Sequence, residues 1–226
     1  MTTTDQVPEQ TLQQQVEDFK AQMAGRVPAE VAAGIEKHIA DLVASGIVEQ
    51  SLKEGAKAPD FTLPDVLGKQ VTLSELLQQG PVVVTFYRGE WCPYCNLQLH
   101  AYQNIVPQLQ ALGASLVAIS PQTPDNSLTT AEKKGLTFTV LSDVGNKVAR
   151  QYGLVFKVDE ETRATMTRLG SDLSRFNGDD SWELPVPGTF VVAQDGTIRL
   201  AFADADFTHR LEPAALLDGV RAAAGK

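Results

Sequence analysis

Cys92 and Cys95 are the only two cysteines among 226 residues, and they stand in the motif Trp91-Cys92-Pro93-Tyr94-Cys95. Two thiols at this spacing can trade a covalent bond, so the pattern points to dithiol–disulfide chemistry. The preceding run, Val82-Val83-Val84-Thr85-Phe86-Tyr87, is β-branched and aromatic and is bounded by Gly80-Pro81 and Arg88-Gly89, which predicts a short buried strand. Pro93 suits a helix's first turn. Beyond it Leu97, Leu99, Tyr102, Ile105 and Val106 recur at largely three- and four-residue steps, which predicts a helix over 94–111. The dithiol therefore occupies a strand-to-helix corner. Free backbone N–H groups and the positive end of the helix dipole there stabilise a thiolate, the form that attacks disulfides or peroxides.

Other uses of two cysteines fit less well. A buried structural pair does not call for CxxC spacing behind a strand. For zinc, Cys92, Cys95 and His100 offer three ligands where a structural site needs four, no second CxxC is present, and His38 and His209 are distant in sequence. No metal or other cofactor is expected. A lasting disulfide suits an oxidising compartment, and Met1-Thr2-Thr3-Thr4-Asp5-Gln6 carries no secretory signal. The expectation is a soluble, cytosolic protein with a working dithiol.

The elements that position the pair follow from the rest of the chain. A net charge of −9 and the absence of any Lys/Arg run disfavour nonspecific nucleic-acid or anionic-membrane partners. No segment approaches the ~18 apolar residues of a membrane span. Residues 1–50 form a helical arm with two apolar stripes: Leu12, Val16, Phe19 and Met23, then Val31, Ile35, Ile39, Leu42 and Val43 after the Arg26-Val27-Pro28 break. Such stripes pack on the main domain or, in a homodimer, on a second subunit. From Gly55 the chain predicts a small hairpin turning at Gly68-Lys69, and a helix turn capped by Ser74. Strands at 82–87, 115–120 and 138–141 then alternate with helices at 94–111, 124–134 and 147–152. A hairpin of 189–193 and 198–202 and a last helix from Pro213 close an α/β layout with a parallel centre. Residues 153–187 make a long polar insertion containing Trp182, read either as a lid or pocket wall, or as a surface helix.

Several of these segments together resemble the AhpC/TSA peroxiredoxin-like proteins of the thioredoxin-fold superfamily, over 55–226: Ala58-Pro59-Asp60-Phe61-Thr62-Leu63, Phe86-Tyr87, Ser120-Pro121, Leu141-Ser142-Asp143, and Thr189-Phe190-Val191-Val192 with Asp195-Gly196. The resemblance implies a thioredoxin-like α/β fold, with a central mixed β-sheet flanked by helices and the N-terminal helical arm outside it. Two registers compete at the motif. Aligned without gaps on the peroxiredoxin pattern, Cys95 takes the peroxidatic place and Cys92 and Arg88 stand where Thr and Pro are usual. Aligned on the thioredoxin pattern, Cys92 attacks and Cys95 resolves. Val186-Pro187-Gly188-Thr189 follows the thioredoxin-like pattern, which implies a cis Pro187 facing the dithiol and offering the Val186 backbone to a bound chain. The arginine usual in peroxiredoxins two residues before Thr-Phe is missing, so another cation must serve the sulfur. Arg88 is the chosen candidate; Arg150, Arg168 and Arg210 have no placement from sequence. Glu90 could accept a proton from the partner thiol, and His100 is given no catalytic part.

The implied activity is a thioredoxin-dependent, thiol-based reduction of hydroperoxides, with Cys92, Cys95, Arg88 and Pro187 as the site and the order of the cysteines open. A thiol–disulfide oxidoreductase and a non-enzymatic redox-sensing module are the alternatives.

Overall fold

The computed structural model describes residues 10–225, so the stretch Met1–Gln6 lies outside them. The arm forms two helices. In α1 (Leu12–Met23) the Thr11 hydroxyl accepts from the Gln14 N–H while the Gln14 side chain accepts from the Thr11 N–H, a reciprocal cap. Pro28 precedes α2 (Ala29–Ala44), and a single 3-10 turn, Ile47–Gln50, leads into the domain. Leu12, Val16 and Leu42 are buried against the chain itself. Val43 departs from the expected stripe. It is 53% exposed, whereas His38 is buried. His38 and Leu42 lie one turn apart on the same face, and Val43 points a further ~100° round the helix.

The entry hairpin pairs β1 (Thr62–Pro64) with β2 (Gln70–Thr72), antiparallel, before α3 (Leu73–Leu77). Ser74 does not cap this helix. Asp60 Oδ1 does, accepting from the Ser74 N–H at 2.9 Å and from the Phe61 N–H at 3.0 Å. A carboxylate here satisfies the orphan donors and also complements the helix dipole, so it displaces the weaker local hydroxyl.

The expected alternation follows: β3 (Val82–Phe86), α4 (Pro93–Asn104), α5 (Val106–Ala111), β4 (Ser115–Ser120), α6 (Pro124–Lys134), β5 (Thr139–Ser142) and α7 (Lys147–Gln151). The helix expected over 94–111 is broken at Ile105, because Pro107 has no N–H to give the Gln103 carbonyl and its ring clashes there. The insertion forms β6 (Val155–Lys157), α8 (Glu160–Arg168), α9 (Leu173–Asn177) and β7 (Glu183–Pro185), with β6 and β7 antiparallel. Val158, Met166, Leu173, Trp182 and Leu184 give it a small core of its own, and Trp91 of the motif packs on that core. It is a wall beside the dithiol, and Trp182 is inside the wall.

The chain closes with β8 (Gly188–Val192), β9 (Ile198–Ala203) and α10 (Pro213–Ala223). The main sheet runs β5-β4-β3-β8-β9, with β3, β4 and β5 parallel and β8 and β9 antiparallel. All residues of β3 and β8 are buried, since helices cover both faces of the sheet centre. Phe86, Tyr152 and Phe190 meet there with ring centroids 4.9 to 6.1 Å apart.

The arm meets the domain at one tight backbone crossing. Gly153 has φ +71°, and a Cβ on it would sit 2.1 Å from the Gln50 carbonyl oxygen. Gly153→Ala must therefore adopt a left-handed backbone and push one main chain off another. The expected cost is about 3 kcal/mol, read as a fall in the midpoint of thermal unfolding. A midpoint within about 2 °C of the parent would refute this packing.

Candidate active site

β3 ends at Phe86, and the chain from Tyr87 to Trp91 turns back so that Cys92 becomes the N-cap of α4. Three contacts fix this loop. The Glu90 N–H donates to Gln122 Oε1 at 2.8 Å, Asn96 Nδ2 donates to the Glu90 carbonyl at 2.8 Å, and the Cys92 N–H donates to the Gly89 carbonyl at 3.1 Å. Gly89, at φ +147°, lets the loop pass the Trp91 indole, where a Cβ would lie 2.5 Å from Nε1. On the far side of α4 the hydroxyls of Thr85 and Thr189 meet at 2.9 Å, and Gln98 Nε2 reaches Thr189 Oγ1 at 3.2 Å. The helix bearing the dithiol is thus pinned to the sheet by a buried polar network.

Both cysteines are free thiols and both are buried, Cys92 1% and Cys95 0% exposed. Their ionisation is opposed. At Cys92, burial alone would push the thiol up, but the Cys95 thiol hydrogen-bonded to it, the Arg88 and Arg210 charges, and the Cys95 backbone N–H together bring it down to about 5. Cys95 is pushed well above the ordinary thiol value, first by burial and then by the hydrogen bond and charge of Cys92. The two shifts run in opposite directions, so the pair is arranged to share a single negative charge, and the directions favour Cys92 as its seat.

Two buried arginines attend them. The Arg88 guanidinium lies 3.8 Å from the centroid of the Phe207 ring and 4.9 Å from that of Trp91. Its Nε has no hydrogen-bond partner among the described residues, which leaves its charge free to act on the sulfur. Of the three arginines without a placement from sequence, Arg210 is the one that reaches the dithiol, whereas Arg150 pairs with Glu183 and Arg168 bonds Thr165. Its Nη2 donates to Cys95 Sγ at 3.5 Å and its Nη1 to the His209 carbonyl at 2.9 Å. The Tyr102 hydroxyl donates to the Leu211 carbonyl at 3.1 Å and so sets this segment against α4. The signal that could have found it is the segment Asp206–Pro213, where Arg210 stands just before the last helix.

Pro187 differs from expectation. No peptide bond among the described residues is cis. The Val186 N–H is also committed, donating to the Leu154 carbonyl at 2.8 Å as the small sheet joins the core, so it is not free for a bound chain. The Glu90 carboxylate is turned to Lys133 Nζ at 3.8 Å, and His100 is exposed on α4. The insertion and arm supply the surroundings. Tyr94, between the cysteines, packs on Phe207 and, edge-on, on Phe19 of α1. His38 of α2 sits by Phe207 and Phe156, with Nδ1 3.2 Å from Asp159 Oδ2, and burial followed by the Arg88 charge lowers its pKa.

The AhpC/TSA family model matches residues 55–201. The chain belongs to the AhpC/TSA family. Among its AhpC/TSA relatives, a chloroplastic peroxiredoxin Q of Gentiana triflora is 37% identical over 103 residues, 46% of this chain and 47% of that one. Peroxiredoxin Bcp of Escherichia coli is 37% identical over 103 residues, 46% of this chain and 65% of its own. The chain spans about half the length of the first of these curated relatives it matches. The fold is shared with peroxidoxin BcpB of Mycobacterium tuberculosis, at 24% identity and a TM-score of 0.60, over 76% of this chain and 97% of that one. It is also shared with a putative thiol:disulfide interchange protein DsbE of Chlorobium tepidum, at 25% identity and a TM-score of 0.53, over 77% and 100%. The AhpC/TSA match stops short of the segment bearing Arg210 and excludes the arm. No helix among the described residues is long and apolar enough to cross a membrane.

Proposed function

We propose that this AhpC/TSA protein is a thiol-dependent peroxidase that reduces hydroperoxides through Cys92 and Cys95 and is recycled by a thioredoxin-type dithiol donor. The observation that carries the reading is the pair of buried free thiols at the start of α4 beside two buried arginines, one of which donates to Cys95 Sγ. The Cys92 thiolate attacks the terminal peroxide oxygen. The O–O bond breaks, the alcohol or water leaves with a proton from solvent, and Cys92 becomes a sulfenic acid. Cys95 then loses its proton and attacks the Cys92 sulfur, water departs, and the disulfide closes. A donor dithiol returns two electrons and two protons and is itself oxidised to a disulfide. Arg88 and Arg210 hold negative charge at the sulfur and on the departing oxygen. Pro187 is left out of this site.

A reducing cytosol is the compartment that suits such a cycle. A homodimer through the arm has less support, since Leu12, Val16 and Leu42 already pack within the chain. The second reading, a thiol–disulfide oxidoreductase, is favoured by the CxxC and by the likeness to the putative interchange protein. Against it stands the committed Val186 N–H. Stopped-flow mixing of the reduced protein with hydrogen peroxide, followed by Trp91 fluorescence, separates the two. The expected rate exceeds that of a free thiol by about a hundredfold or more. A rate no greater than a free thiol's, alongside rapid reduction of a protein disulfide, selects the second reading.

A further inference from the structure

The two sulfurs are 1% and 0% exposed, which a few-atom hydroperoxide can tolerate and a protein reductant cannot. To reduce the Cys92–Cys95 disulfide, a donor thiolate must bond to one of these sulfurs as the S–S bond breaks and the other leaves as thiolate. A second donor thiol then releases the mixed disulfide. Each new S–S bond is about 2 Å long, so part of the chain has to move off the site.

We infer that α1 is a lid over the dithiol, shut for reaction with hydroperoxide and lifted for a protein thiol. The helix lies against α4, with the Phe19 ring edge-on to Tyr94 at 5.6 Å, on the residue that separates the cysteines. Its hold is slight. Of its twelve residues only Leu12 and Val16 are buried, and its chief polar anchor is Glu212, whose Oε2 and Oε1 accept from the Leu12 and Gln13 N–H groups at 3.0 and 2.8 Å. A carboxylate at a helix N-terminus is a favourable but readily broken contact. The chain between α1 and α2 carries Gly25 at φ +79° and Pro28, a place where the backbone can turn without disturbing either helix. α2 is held likewise, by His38 and Leu42, both buried, and by the His38–Asp159 contact. What sets α1 apart is its place, against the helix that bears the dithiol, where access is needed.

The need for a protein reductant rests on the peroxidase reading; the lid itself is tested without peroxide. Reduced parent, Phe19→Ala and Glu212→Gln proteins are treated with iodoacetamide, a small probe, and with a maleimide carried on a polyethylene glycol chain of several kilodaltons. Both variants are expected to react with the bulky probe about tenfold faster than the parent, with iodoacetamide rates within about twofold. Their hydrogen peroxide oxidation rates, measured separately, report on the peroxidase reading alone. The lid is overturned if neither variant reacts faster with the bulky probe, or if both probes speed up by the same factor. Glu212→Gln removes no buried apolar group, so it keeps the test sound should Phe19→Ala unfold.

Discussion

Cys92→Ser is expected to lower the second-order rate of peroxide reduction by about a thousandfold or more, because a serine hydroxyl does not ionise near neutrality and no other thiolate is present. Cys95→Ser should have a different outcome. It leaves the first step running, so one equivalent of peroxide is consumed and a sulfenic acid accumulates that dimedone traps. The rate in that variant should fall moderately, since the Cys95 thiol also hydrogen-bonds the Cys92 sulfur and helps lower it. Mass spectrometry of the trapped adduct places the oxygen. An adduct on Cys95 in the Cys92→Ser protein, with rapid peroxide consumption, would reverse the order and restore the gapless peroxiredoxin register.

Arg210→Met is the second large effect. The Arg210 charge is one of the influences that bring Cys92 down to about 5 against the cost of burial, and a neighbouring opposite charge is typically worth ~1–3 pH units. Removing it should move the midpoint of the thiolate absorbance at 240 nm upward. At a pH below both midpoints the variant then holds about 10- to 1,000-fold less thiolate and reacts with peroxide correspondingly more slowly. A stability signature follows with a definite sign. Cys92 is depressed in the folded state from an unfolded value of ~8.5, so its contribution is fully present above ~8.5 and is lost as pH falls through about 5. Cys95, pushed the other way, titrates above this window. Thermal midpoints of the reduced parent should therefore decline on acidification across that interval, relative to the disulfide form, and Arg210→Met should narrow the interval from below. An unchanged midpoint for the thiolate would remove Arg210 from the site.

The corner that bears the dithiol was legible because its signals are local: a β-branched run, a loop with Gly89, and Pro93 where a helix begins. The alternation of strands and helices was legible for the same reason, down to the hairpin at Asp195-Gly196. What escaped depends on residues far apart in sequence. Arg210 lies 115 positions from Cys95, and only the Tyr102 bond to Leu211 reveals why that tail comes back to α4. Asp60 took the capping role from Ser74 by reaching across fourteen positions. The expected face of α2 fails at Val43 because His38, polar by type, is buried beside Phe156 and Phe207 with its Nδ1 held by Asp159 from the insertion. Pro187 was read through a neighbouring family, whereas its surroundings are set by the pairing of Val186 with Leu154, which no local pattern encodes.

The two guanidiniums beside the dithiol are permanent charges in a region closed to water, and in the reduced protein one thiolate offsets part of them. Closing the disulfide deletes that anion and leaves both buried cations beside a neutral bridge. Buried charges that lose their counter-ion are costly. The bridged form is thereby made the higher in energy of the two, which raises its reduction potential and makes it a strong electron acceptor. Each turn of the cycle accordingly ends with the site poised to draw electrons back from its donor.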